Sequence, residues 1–381
     1  MNQRIYLDNA ATTPLLPEVI ECINHTSKNI FGNPSSIYRE GAAAKSLIEE
    51  SRKVLSNFLH TSPSQVFFTS CGTESSNMII SAAIKNLQVK TIISSPIEHP
   101  CVLHSCKEYA QISGVQLKYL HPDDNGRINL NELESILKES DSPALVTLIH
   151  THNELGSLTP IKQISEICKK YSAYYHSDTV QSIGNIELNV TELDIDFATG
   201  SGHKFHGPKG IGFVYLKEPT LIKPFIYGGS QERNLRAGTE NIIGIAALAK
   251  ALQLCTESWK EKLAHLYHLN TYFRSALQHH ELSESFNTPE SEFNPKILSV
   301  NFPEQKGIEW LLMNLDIHGI AASGGSACSS GTEKSSHVLE YIRPNAKGRT
   351  VRFSFSQLNT KEELDLTLEI LLKILKPPTQ I

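Results

Sequence analysis

No apolar run in this sequence is long enough to cross a bilayer, so nothing in it reads as a membrane-spanning helix. Basic residues are scattered and outnumbered. With 35 Lys and Arg against 40 Asp and Glu, the net charge is -5, which gives no electrostatic case for a nucleic-acid partner. The N-terminal Met1-Asn2-Gln3-Arg4-Ile5-Tyr6 lacks the apolar core of a secretory signal. Cysteines are few, odd in number and dispersed, at 22, 71, 101, 106, 168, 255 and 328. That pattern argues against a disulfide framework and for reduced thiols in a cytoplasmic setting. Cys101 and Cys106 form the closest pair, and no second pair exists to complete a zinc site. Internal repeats and low-complexity segments are also missing.

What is present is ordinary globular composition, 40% hydrophobic and 20% charged over 381 residues, enough for two packed domains. From about 65 to 216, short β-branched and aromatic runs alternate with helical patterns. Strands are expected at 65–70, 91–95, 144–151, 173–177 and 211–216, with helices at 73–88, 101–113, 130–138 and 161–171. The near-continuous apolar run at 144–151 suits a strand buried on both faces. This alternation implies an open, largely parallel α/β sheet, whose ligands bind beyond the carboxyl ends of the strands. After Asn241 the texture changes to a long helical region at about 241–280, a β-containing stretch near 297–302, and a last helix opened by the capping pattern Thr360-Lys361-Glu362-Glu363. The expected division is a large domain at 15–250 and a smaller α+β domain made of 1–14 with 251–381.

The stretch Gly200-Ser201-Gly202-His203-Lys204-Phe205-His206-Gly207-Pro208 sets a lysine among glycines. A dinucleotide fingerprint fails because Phe205 stands where glycine is required, and a phosphate loop fails because Pro208 stands at the lysine position. His203 and His206 have no nearby carboxylate or thiol to complete a metal set. Besides a solvated turn, the remaining reading is a Schiff-base lysine, which needs desolvation to be nucleophilic. Glycines there let the backbone approach a flat cofactor closely. Pyridoxal phosphate is the group that such a lysine implies, and it needs an anion at its pyridine nitrogen, a phosphate cradle, a group over its ring and a cation for the substrate carboxylate. Each need has a candidate near a strand end: Asp178 with Gln181; Gly72 and Thr73 between strand and helix; His99; and Asn153 with Arg352 as a bidentate carboxylate partner.

These motifs, taken in order, resemble one family nearly end to end. The matching segments are Tyr6–Pro14, Phe31-Gly32-Asn33-Pro34-Ser35-Ser36, Thr73-Glu74-Ser75, Glu98-His99, Asn153-Glu154, Asp178 with Gln181, and Ser201-Gly202-His203-Lys204. They continue with Arg236-Ala237-Gly238-Thr239, Gly325-Ser326-Ala327-Cys328 and Val351-Arg352-Phe353-Ser354. The chain resembles the NifS/IscS-like cysteine desulfurases of the class V aminotransferase group. The resemblance implies the fold type I of pyridoxal-phosphate-dependent transferases, a mostly parallel seven-stranded sheet between helices. It further implies that Lys204 holds the cofactor covalently, that Asp178 pairs with its ring nitrogen, that Gln181 meets its hydroxyl, and that His99 stacks on the ring and assists proton transfer. Gly72, Thr73, Ser201 and His203 would bind the phosphate, with Thr239 reaching it from the partner subunit of a homodimer. Asn33, Asn153 and Arg352 would orient the substrate, L-cysteine. Cys328 would take the sulfur as a persulfide, leave alanine, and pass the sulfur to an acceptor protein, an iron–sulfur scaffold or a tRNA-thiolation relay.

An ordinary cysteine thiol, with a pKa of about 8.5, is mostly protonated at neutral pH, so the site must favour the Cys328 thiolate. The small residues around Cys328 suit a mobile loop that carries sulfur onward. Thr179, Cys71 and the segment 340–344 depart from the family pattern; Thr179 is expected either to crowd the cofactor face or to alter substrate handling, without removing the aspartate contact. Transamination or a selenocysteine lyase-like reaction, with Cys328 silent, is the alternative within the class.

Overall fold

A computed structural model of the protein describes residues 4–140, 143–324, 336–345 and 347–376. At its centre is a seven-stranded sheet in the order Val66–Thr69, Gly212–Leu216, Phe197–Ser201, Tyr174–Asp178, Ala144–Ile149, Thr91–Ser94, Gln116–Tyr119. Pairings from Phe197–Ser201 outward to Gln116–Tyr119 are parallel, while Gly212–Leu216 runs antiparallel to both neighbours. The central strands read as unbroken apolar runs because helices cover both faces. Ala144–Ile149 is buried at every position, and its alternate residues enter two different cores. Val146 and Leu148 join the cluster around Val19, Leu55 and Leu248, while Leu145 joins the one around Ile79, Ile92 and Val102.

Strand bounds expected from the sequence hold to within two residues. Two strands of the large sheet were not expected, Gln116–Tyr119 and Phe197–Ser201, nor were the helices Pro17–Asn29 and Arg39–Phe58. The long helical region is two helices, Ile242–Glu257 and Trp259–His279, broken at Ser258. A separate core gathers Leu7, Phe273, Val300, Phe353 and Leu371 around the three-stranded antiparallel sheet Arg349–Ser354, Ile297–Phe302, Ser285–Phe286. Thr360 and Glu363 cap the last helix, Lys361–Leu375, reciprocally: the Glu363 amide donates to Thr360 Oγ1, and the Thr360 amide to Glu363 Oε2. The N-terminal strand Ile5–Tyr6 pairs in parallel with Ile320–Ala321, and this brings the chain that follows it, Asp8 to Pro14, across the carboxyl edge of the large sheet. No helix among the described residues is long and apolar enough to cross a membrane.

Candidate active site

Four parallel strands end on one side of the large sheet, and the residues that follow them converge with Val66–Thr69's own exit on a cavity of about 250 Å³. Thr91–Ser94 leads to His99, Ala144–Ile149 to Asn153, Tyr174–Asp178 ends in Asp178 itself, and Phe197–Ser201 leads to Lys204. The Lys204 ammonium group donates to the carbonyl oxygens of Ala10 (2.7 Å) and Ala11 (2.9 Å), which lie on the N-terminal segment. Asp178 is buried. Its Oδ1 accepts the Val180 amide at 3.0 Å and the Thr199 hydroxyl at 3.5 Å. Burial pushes its pKa up, against the pull of His99 and Lys204, so the carboxylate favours a cationic partner. Gln181 donates through Nε2 to the Ala10 carbonyl at 2.8 Å, while its Oε1 is buried with no partner among the described residues.

At the opposite wall, Gly72 and Thr73 open the helix Gly72–Lys85, where unpaired amides and the helix dipole favour an anion. A Cβ at Gly72 would stand 2.7 Å from Val180 Cγ2, so only glycine leaves this approach open. Ser201 and His203 line the same space. His203 accepts from, or donates to, the Thr12 hydroxyl at 3.3 Å, and burial with the nearby Lys204, Lys209 and Lys296 lowers its pKa to about 3. Arg352, buried in the strand Arg349–Ser354, donates from Nη1 to the Asn153 carbonyl (2.8 Å) and from Nη2 to Asp8 Oδ1 (2.9 Å).

Not every expected residue is here. Asn33 is exposed and lies outside this cavity, its Oδ1 accepting the Ser35 amide at 2.9 Å. Thr239 lines a different cavity, of about 190 Å³, with Gly238, Glu240 and Arg236. Cys328 lies outside the described residues. Thr179 does not crowd the cavity, contrary to expectation. It is buried, its hydroxyl donates to the Thr199 carbonyl at 2.7 Å, and Val180 is the neighbour that faces Gly72.

Sequence reasoning missed several residues. Cys101, weighed only as a zinc ligand, lines the cavity with its sulfur 3.0 Å from His99 Nδ1. Lys296 is buried beneath the site and donates to the Lys204 carbonyl at 2.7 Å; desolvation and the nearby Lys204 push its pKa well down. Ser336, the first described residue after the segment that carries Cys328, donates to the buried Glu154 at 2.5 Å, and His337 donates from Nε2 to the Glu98 carbonyl at 3.1 Å.

The cavity thus pairs an amine with a buried carboxylate, an anion-binding helix start and a guanidinium, which is the constellation of an enzyme that works on amino acids. A family model of the class-V aminotransferases matches residues 5–367. The cysteine desulfurase IscS of Dictyoglomus turgidum is 38% identical over 99% of this chain and 95% of its own length. Among solved structures, a NifS-like protein superposes with a TM-score of 0.90 at 35% identity, over 98% of this chain and 99% of the other. SspA in complex with cysteine superposes with a TM-score of 0.80 at 28% identity, over 94% and 100%. The chain belongs to the class-V aminotransferase family, among its cysteine desulfurases, which depend on pyridoxal phosphate.

The residues present fit that cofactor. Gln181 Oε1 is an orphaned buried acceptor suited to a ring hydroxyl, Asp178 a buried anion suited to a protonated ring nitrogen, and Gly72 an approach that any Cβ would fill.

Proposed function

We propose that the protein removes sulfur from L-cysteine, using the cavity between Asp178 and the Gly72–Thr73 helix start to hold pyridoxal phosphate at Lys204. The observation that carries this reading is the convergence of Lys204, Asp178 and Arg352 on one cavity with a helix N-terminus opposite. When bound, pyridoxal phosphate supplies an electrophilic carbonyl carbon and an electron sink for the substrate α-carbon. Asp178 would keep the ring nitrogen protonated, Gln181 Oε1 would accept from the ring hydroxyl, and the amides of Gly72 and Thr73 with Ser201 and His203 would hold the phosphate. Arg352 and Asn153 orient the substrate carboxylate. The Lys204 amine would accept the substrate α-proton at Nζ. The Cys328 thiolate then attacks the substrate sulfur. A sulfur–sulfur bond forms and the carbon–sulfur bond breaks with its electron pair left on the β-carbon; protonation of that carbon, and return of the proton from Lys204 Nζ to the α-carbon, would give alanine.

Chain connectivity supports the role of Cys328. Ser323 is bound to Arg352 by paired backbone hydrogen bonds of 2.7 and 3.3 Å. Cys328 follows Ser323 by five residues in the sequence, and Arg352 lines the cavity.

The same reading makes the protein a homodimer in which Thr239 reaches the phosphate site of the partner subunit, and it keeps Asn33 as a residue that orients the substrate. It divides the chain into a domain at 15–250 and another at 1–14 with 251–381. It makes the protein cytoplasmic and gives the persulfide to an acceptor protein, an iron–sulfur scaffold or a tRNA-thiolation relay. The test is production of alanine, and of sulfide released from the persulfide by an added thiol reductant, from cysteine by wild type, Lys204→Ala and Cys328→Ser. Wild type should form a borohydride-reducible adduct at Lys204 and both products. Cys328→Ser should keep the adduct and lose sulfide release. Unchanged sulfide release from Cys328→Ser overturns the role of Cys328.

A further inference from the structure

We propose that Cys101 is a positioning residue for His99: its backbone amide and its thiol together fix the imidazole as the tautomer that carries its proton on Nε2. The inference rests on the reading that His99 works on a group bound in this cavity, and it divides the proton-transfer labour between His99 and Lys204.

His99 is the residue that caps the helix Pro100–Ser113, and Pro100 at the first helical position leaves the Cys101 amide as the donor nearest the cap. That amide lies 3.2 Å from His99 Nδ1. A backbone N–H can only donate, so Nδ1 is an acceptor and carries no proton in the neutral ring. The single N–H of neutral His99 is therefore at Nε2. The Cys101 sulfur, 3.0 Å from the same nitrogen, also acts as the donor, since Nδ1 has only its lone pair to offer. Ser76 Oγ, 3.9 Å away, and the Thr73 hydroxyl are competing hydrogen-bond partners of that thiol. The contact to His99 is shorter than the one to Ser76.

Two further features agree. Burial, with the Asp178 and Glu98 charges, pushes the Cys101 thiol up, so it remains a proton donor and does not become a second thiolate beside the substrate sulfur. Desolvation lowers the His99 pKa, with Lys204, His337 and His104 acting in the same direction and Asp178 opposing them. A hydrogen bond donated to Nδ1 stabilises the neutral ring and adds to that lowering. In this state His99 donates a hydrogen bond from Nε2 and has no basic nitrogen there to take a proton. Lys204 is left as the group that takes the α-proton.

The test uses the full chain labelled with 15N-histidine, loaded with pyridoxal phosphate and, in parallel, without it; His99→Asn identifies the His99 signals. The expected 15N shifts are those of a neutral ring protonated at Nε2 in both samples. Cys101→Ala should raise the His99 pKa by about half to one pH unit, the effect of one lost hydrogen bond, and Cys101→Ser should restore it. Protonation at Nδ1 in the wild type, or a Cys101→Ala protein that titrates like wild type, overturns the inference. If borohydride traps no adduct at Lys204, the cofactor reading fails separately, whatever the tautomer of His99.

Discussion

Arg352 offers the sharpest test of how substrate is held, because its hydrogen bonds leave a definite remainder. The side chain is about 2% exposed. Two donors are committed, Nη1 to the Asn153 carbonyl and Nη2 to Asp8, while Nε is buried without a partner among the described residues. A substrate carboxylate that accepts from this guanidinium makes a charge-assisted bond worth about 1.5–3 kcal/mol. Lysine keeps the charge but loses the planar fork. Arg352→Lys should therefore lower kcat/KM for cysteine by roughly 10- to 150-fold, mostly through KM. Arg352→Ala should also cost stability, because it strands Asp8. Since Asp8 is 18% exposed, water compensates in part and the cost belongs at the low end for a broken buried pair, about 3 kcal/mol. The assay compares cysteine with cysteamine, which lacks the carboxylate, and follows urea unfolding of the same preparations. Wild type should prefer cysteine strongly, and the variants should lose that preference while retaining what cysteamine turnover there is. If Arg352→Lys discriminates between the two as wild type does, Arg352 is a structural strut and the assignment of the carboxylate site is wrong.

Gly72→Ala should weaken pyridoxal phosphate binding about 5- to 150-fold by equilibrium titration, since its Cβ would meet Val180 Cγ2 at 2.7 Å and such overpacking costs about 1–3 kcal/mol. Arg52→Ala should destabilise the protein by about 3–5 kcal/mol in urea, because it leaves the buried Glu232, held by two bonds of 2.8 Å, without its cation. His150 is buried, and desolvation alone lowers its pKa to about 4. Its folded pKa is below the unfolded value of about 6.5, so the unfolded chain binds more protons between those values and stability is lost as pH falls through that window. The drop in urea midpoint from pH 7 to pH 5 should accordingly be smaller in His150→Gln than in wild type.

How much of this was legible beforehand depended on whether a residue's role was local. Asp178, His99 and Asn153 each lie at or just beyond the end of a strand that the sequence announces, so recognising the strand located the residue on the carboxyl edge. The strand Phe197–Ser201 escaped notice although it delivers Lys204, and the reason is Gly200. Glycine lowers strand propensity, and aspartates at 194 and 196 lower it further. Yet a Cβ at position 200 would lie 2.2 Å from the Phe213 ring on the neighbouring strand. The residue that hides this strand in the sequence is thus the one that lets it pair with Gly212–Leu216. Its signal is long-range by nature, because nothing within the local window announces where Phe213 will lie.

The Lys204 acceptors are more opaque still. They are backbone carbonyls of Ala10 and Ala11, 194 and 193 residues away, and a carbonyl oxygen has no side-chain identity to read. Cys101 falls between these cases. Its place two residues after a helix-capping histidine was readable, but its contact required knowing that His99 turns Nδ1 toward the helix start, a choice made by the unpaired amides of that first turn. The legible part of the site is what strand ends carry by themselves. The part that fixes protonation, and so decides which group gives and which takes, comes from caps and carbonyls whose position only the folded chain defines.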